Sequence, residues 1–68
     1  MKYGIIKESV VAVRLKDNSK SEMVNQMLFG ETFIIIDNND KWIKIISFLD
    51  KYKGWIEKNS IKYIYKDG

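Results

Sequence analysis

Trp42-Ile43-Lys44-Ile45-Ile46-Ser47-Phe48, followed after a short polar break by Gly54-Trp55-Ile56, is the stretch on which the fold turns. Trp42, Lys44, Ile46 and Phe48 fall on one face of an extended chain, and Ile43, Ile45 and Ser47 on the other. Both faces are partly apolar, which suits a closed or tightly curled sheet better than a flat one. Outward from this segment the same β-branched and aromatic texture recurs at Ser9 to Leu15, Glu31 to Ile36, Tyr52 to Ile56 and Ile61 to Tyr65. Proline is absent and glycine scarce, so the breaks are polar clusters: Lys16 to Glu22, Asp37-Asn38-Asn39-Asp40, Leu49-Asp50-Lys51 and Glu57-Lys58-Asn59-Ser60. Short strands at this spacing predict an all-β fold, a small barrel of five to six mainly antiparallel strands spanning about 9–65. Ser21 to Phe29 is compatible with helical or alternating spacing and is read as a short strand or irregular turn. Residues 1–7 and 66–68 are read as frayed ends.

The chain has 68 residues, room for one domain and nothing beside it, near the lower limit for a core without disulfides or metals. Such a domain must bury most of its large side chains, and a composition 46% hydrophobic and 13% aromatic allows that. With no cysteine and no histidine, disulfides, thiolate metal sites and the commonest nucleophile and base pairs are excluded. Twelve basic against nine acidic residues is a mild excess, short of a dedicated nucleic-acid binder. Ile5 and Ile6 alone follow Met1-Lys2-Tyr3-Gly4 before Lys7-Glu8, too little apolar chain for a secretory signal or membrane span. The compartment expected for the sequence as it stands is the cytoplasm, with no membrane partner.

Val10 to Ile61 resembles a bacterial SH3-type domain. The residues that carry the likeness are Val10 to Arg14, the polar loop Asp17 to Ser21, Gly30-Glu31 opening a strand, Trp42 opening the next, and Gly54-Trp55-Ile56. Within that class, Val13-Arg14, Ser21-Glu22-Met23-Val24, Gln26, Leu28-Phe29-Gly30-Glu31 and Tyr52-Lys53-Gly54-Trp55-Ile56 are similar to one subgroup. It is the amino-terminal SH3-like domain of NlpC-family cysteine peptidases of Bacteroidetes, of the γ-D-glutamyl-L-diamino-acid endopeptidase type that trims murein peptides. The resemblance implies that a papain-like domain supplies the chemistry, while the SH3-like domain packs on it and shapes the substrate side. None of that catalytic domain lies in this sequence, so no catalytic residue and no cofactor is expected here, and the partners implied are a downstream catalytic domain or murein peptide.

The candidate binding residues are Arg14, Ser21, Glu22, Trp42, Tyr52 and Trp55. Trp42 and Trp55 either line a ligand surface or cap a core too small to spare an indole. Arg14, the one arginine, ends a strand before the polar loop; it can clamp a ligand carboxylate in two parallel bonds or pair internally with Glu22 or Glu31. Ser21-Glu22 can face a peptide amine or cap the next turn. A proline-peptide site of the eukaryotic kind is disfavoured, because Glu57 and Ser60 stand where its ridge-forming proline and tyrosine would be. Asp37 to Asp40 lacks the glycine and distant glutamate of a calcium loop and reads as a turn. Residues 41–68 carry seven lysines against three acids, with Trp42, Tyr52, Trp55, Tyr63 and Tyr65 interleaved. That leaves a free-standing protein- or nucleic-acid-binding module as the competing reading, set against a solvated lysine surface that deters edge pairing. Open strand edges also leave self-association open.

Overall fold

A computed structural model describes the backbone of residues 2–66 and the side chains of residues 2–61. Seven strands follow one another: β1 (Lys2–Ile6), β2 (Val10–Arg14), β3 (Met23–Leu28), β4 (Thr32–Asn38), β5 (Trp42–Ser47), β6 (Lys53–Glu57) and β7 (Ile61–Lys66). A single 3-10 turn, Lys58–Ser60, joins the last two. The strands make one sheet in the order β3-β2-β6-β5-β4-β1-β7, and every described pairing is antiparallel. The sheet is curled, as the alternation around Trp42 predicts, and the architecture is the small SH3-like one that the resemblance implies.

The alternation decides what is buried. Ile43, Ile45 and Ser47 are fully enclosed on one side of β5, while Trp42, Lys44 and Ile46 stay half-buried on the other. Ile6, Val11, Val13, Met27, Phe33, Ile56 and Ile61 complete the core, and Ile35 and Tyr52 pack against it. Full burial of each large aliphatic or aromatic side chain contributes roughly 1.5–3 kcal/mol, so these residues carry most of the opposition to chain entropy. Register shifts at Tyr3/Gly4, Val13/Arg14 and Ile35/Asp37 mark bulges, which bend strands and increase twist, and so curl the sheet around its core. The curl brings the end of β1 onto the β3–β4 connection: Ile6 N–H donates to Glu31 O at 3.0 Å and Gly30 N–H to Ile6 O at 3.0 Å.

The reading of residues 1–7 as a frayed end is corrected. Lys2–Ile6 is a strand held between β4 and β7, with Gly4 buried where a Cβ would come within 2.5 Å of the Phe33 ring. The sheet therefore begins at Lys2 and gains a strand over the number predicted, and β7 runs on to Lys66. Residues 67 and 68, and the side chains of Tyr63 and Tyr65, lie outside the described residues. Ser21 to Phe29 resolves as the strand β3, whose single buried residue is Met27.

β3 lies at one edge of the sheet, and its own chain caps that edge. Gln26 N–H donates to Asn25 Oδ1 at 2.8 Å and Leu28 N–H to Glu31 Oε2 at 2.9 Å. Gln26 O accepts from the Tyr52 hydroxyl at 3.3 Å, and Leu28 O from Glu31 N–H at 3.0 Å. Gln26 and Leu28 alternate along the strand, so their backbone groups point the same way, away from β2. With those groups occupied, Gln26 and Leu28 offer a second chain fewer free backbone partners along β3.

Candidate functional site

Three loops meet at one end of the sheet. Asn39 binds them together. In the β4–β5 turn, Asn39 N–H donates to Trp42 O at 2.9 Å, and its side-chain oxygen accepts from Lys41 N–H at 3.0 Å and Trp42 N–H at 2.9 Å. A short amide side chain satisfying the backbone just ahead of it is the reason asparagine favours such turns. The other end of the same amide donates to Asp17 Oδ2 in the β2–β3 loop at 2.7 Å. Lys58 of the 3-10 turn closes the third side, donating from Nζ to Asn39 O and from its backbone N–H to Lys41 O at 2.8 Å.

Between these loops lies a depression of about 540 Å³ lined by Asp17, Asn39, Asp40, Lys41 and Trp42. A second, of about 330 Å³, adjoins it at Asp40, Lys41, Glu57, Lys58 and Asn59. Trp42 is the one aromatic in either lining, half-buried at the start of β5 with its backbone fixed by Asn39. The pair of depressions thus offers a flat apolar ring bordered by carboxylates and ammonium groups.

Arg14 and Ser21 come together, but not on a ligand. The Arg14 guanidinium donates to Ser21 O at 3.1 Å, Ser21 Oγ accepts from Lys16 N–H at 2.8 Å, and Leu15 N–H donates to Glu22 O at 2.9 Å. Of the two alternatives for Arg14, the internal pair with Glu22 or Glu31 is not formed: the arginine bonds a backbone carbonyl, the Glu22 side chain is exposed, and Glu31 accepts from Leu28 N–H. The β2–β3 loop is therefore clamped from both ends by its own polar groups. Trp55 stands beside Arg14, since the two are directly opposed across β6 and β2 and share a sheet face. Trp42 opens onto the loop depression instead. Tyr52 is apart from both, capping β3 at Gln26; burial first, then the carboxylates of Glu31 and Asp50, hold its phenol above the ordinary tyrosine value.

Asp17, Asn39 and Lys58 were not singled out from the sequence. Asp17 and Lys58 read there as ordinary loop charges, and nothing local reveals that Asn39 reaches both. Among the described residues there is no group of three or more acidic side chains able to hold a metal ion.

A curled antiparallel sheet with a polar loop before β3, a Trp opening β5 and a 3-10 turn before the last strand is a small SH3-like fold. The chain belongs to the family described as the bacterial dipeptidyl-peptidase SH3 domain, whose model matches residues 10–61. Domains of this family are non-catalytic accessory domains. No curated protein matches the chain.

Proposed function

We propose that this domain serves a murein-peptide cysteine peptidase of the NlpC type, packing on its catalytic domain and contributing the loop depression around Trp42 to the peptide-binding side. The observation that carries this reading is the family match over residues 10–61, the family being named for peptidases. Two features of the surface support it. The depression at Asp17, Asn39, Lys41 and Trp42 has the mixed charge and aromatic plate that a short zwitterionic peptide needs. Elsewhere, Phe29 and Leu49 are 71% and 77% exposed, and Leu49 and Phe48 line a depression of about 350 Å³ with Gly30, Glu31 and Thr32. Exposed apolar side chains gathered about a concavity are the signature of a surface that packs on another protein.

Titration of the domain with murein tripeptide and tetrapeptide, followed by tryptophan fluorescence, tests the binding half of the proposal. A saturable change that disappears in Trp42→Leu supports it; silence at millimolar peptide removes peptide binding and leaves the packing role alone. The packing half is tested by reading the gene onward past Gly68 and joining the domain to whatever papain-like domain follows. Phe29→Ser or Leu49→Ser is expected to loosen that union, and unchanged thermal unfolding of the joined protein would refute it.

A further inference from the structure

On the outer face of the sheet, one indole is surrounded by cations from three strands. Trp55 of β6 is directly opposed by Arg14 of β2 on one side and by Lys44 of β5 on the other. Directly opposed residues project to the same face with Cβ atoms about 5 Å apart. Lys53 stands two residues before Trp55 on its own strand, on that same face. Arg14, Lys44 and Trp55 are half-buried and Lys53 is exposed. Charges so placed are screened less than those on mobile surface chains.

We infer that this face is a binding surface for the carboxylates of an acidic peptide segment. The inference goes beyond the peptidase reading, and requires neither a catalytic domain nor murein. Three observations favour carboxylate over the other anion that basic and aromatic surfaces take, a single-stranded nucleic acid. Lys44 Nζ lies over the Trp55 ring, 5.9 Å from its centroid, within cation–π range. A base stacking on that ring would have to displace the ammonium, whereas a carboxylate approaching from the side gains from it. Arg14 is anchored through one N–H to Ser21 O, so the fork that matches a carboxylate is already held in place. Finally, acids bound the cationic cluster: Asp37 of β4 directly opposes Lys44, and Glu57, two residues beyond Trp55 on β6, opposes Trp42. Asp37 turns one carboxylate oxygen to Asn38 N–H at 2.8 Å. A long polyphosphate backbone crossing the face would meet both acids, while a carboxylate held at Arg14 lies at the end of the cross-strand row Arg14, Trp55, Lys44, Asp37 that is farthest from Asp37.

The test is nuclear magnetic resonance of the 68-residue chain with hexaglutamate as probe, hexaglutamine as the uncharged control and an eight-nucleotide oligothymidylate as the competing class. Hexaglutamate is expected to shift the Trp55 indole N–H and the amides of Arg14, Lys44 and Lys53, with affinity falling as salt rises from about 20 to 200 mM. Lys44→Gln and Lys53→Gln, substitutions that leave the core untouched, should each weaken binding roughly two- to fivefold, as loss of one surface charge pair does. Lys2→Gln on β1 should leave it unchanged. Arg14→Lys keeps the charge but loses the fork, and should fall below the wild type. The inference is overturned by an absence of shifts at Trp55 at millimolar hexaglutamate, by hexaglutamine binding equally well, or by oligothymidylate binding the same residues more tightly.

Discussion

Gly54 is the residue whose replacement most directly tests how the outer face is built. It lies buried between Arg14's strand and β5, and a Cβ added there would overlap Val13 Cγ1 and come within 3.1 Å of Arg14 O. Val13 is fully buried, so it cannot swing into solvent to make room. Overpacking of this kind costs about 1–3 kcal/mol, and a collision that involves backbone as well as a locked side chain belongs at the upper end. A domain of 68 residues has roughly 3–10 kcal/mol of stability in all, so Gly54→Ala removes a large share. Val13→Ala alone deletes two methyl groups and leaves a cavity, for about 2–3 kcal/mol. Together the two changes should not add. Without Cγ1, the new methyl finds Val13 Cβ at 3.7 Å, an ordinary contact, and fills the vacated space. The double variant is therefore expected to cost about 2 kcal/mol less than the sum of the singles. Urea unfolding followed by tryptophan fluorescence resolves this: at a slope near 1 kcal/mol/M, the difference is about 2 M in midpoint. Additivity within about 0.5 kcal/mol would refute the argument, because residues that do not collide show no coupling.

Further outcomes follow from the same contacts. Asn39→Ala removes the amide that joins the β4–β5 turn to Asp17, and should cost about 1 kcal/mol while raising amide exchange at Lys41 and Trp42; unchanged exchange would dismiss its joining role. Gly30 has φ of +88° with open space around it, so Gly30→Ala should lose about 1 kcal/mol from backbone strain alone, seen as a lower melting temperature. Lys51 has φ of +62°, and Lys51→Gly is expected to be neutral or stabilising by up to about 1 kcal/mol in the same assay. Tyr52 titrates above its ordinary value of 10.0, so its contribution is complete below that pH and is lost as pH rises through the folded-state value. Tyr52→Phe should flatten that part of the alkaline stability profile; a profile parallel to the wild type's would show that the hydroxyl bond to Gln26 O carries none of it.

The two ends of the sheet show where local reading succeeds and where it fails. β5 was legible because Ile43, Ile45 and Ser47 alternate against Trp42, Lys44 and Ile46 over a run long enough to declare a period, and burial follows that period residue by residue. Tyr3-Gly4-Ile5-Ile6 has no such run, and its glycine counts against a strand when taken alone; it is a strand because β4 and β7 pair with it and Phe33 needs the space that Gly4 leaves. β3 was ambiguous for a similar reason, since only Met27 of its residues is buried and the rest of its pattern reports solvent. Of the candidate site, residue types came from the sequence and neighbours did not.

The sequence by itself determined a small all-β domain with no cysteine or histidine for catalysis, because strand period, turn chemistry and composition are local properties that each segment carries alone, while its SH3-like character was implied by the family resemblance. Only the tertiary structure decided that Arg14 holds a loop carbonyl, that Asn39 joins three loops, and that Trp55 stands among Arg14, Lys44 and Lys53. Those facts depend on strand register and order, which are set by long-range pairing, and a shift of one residue would turn each of those side chains to the opposite face.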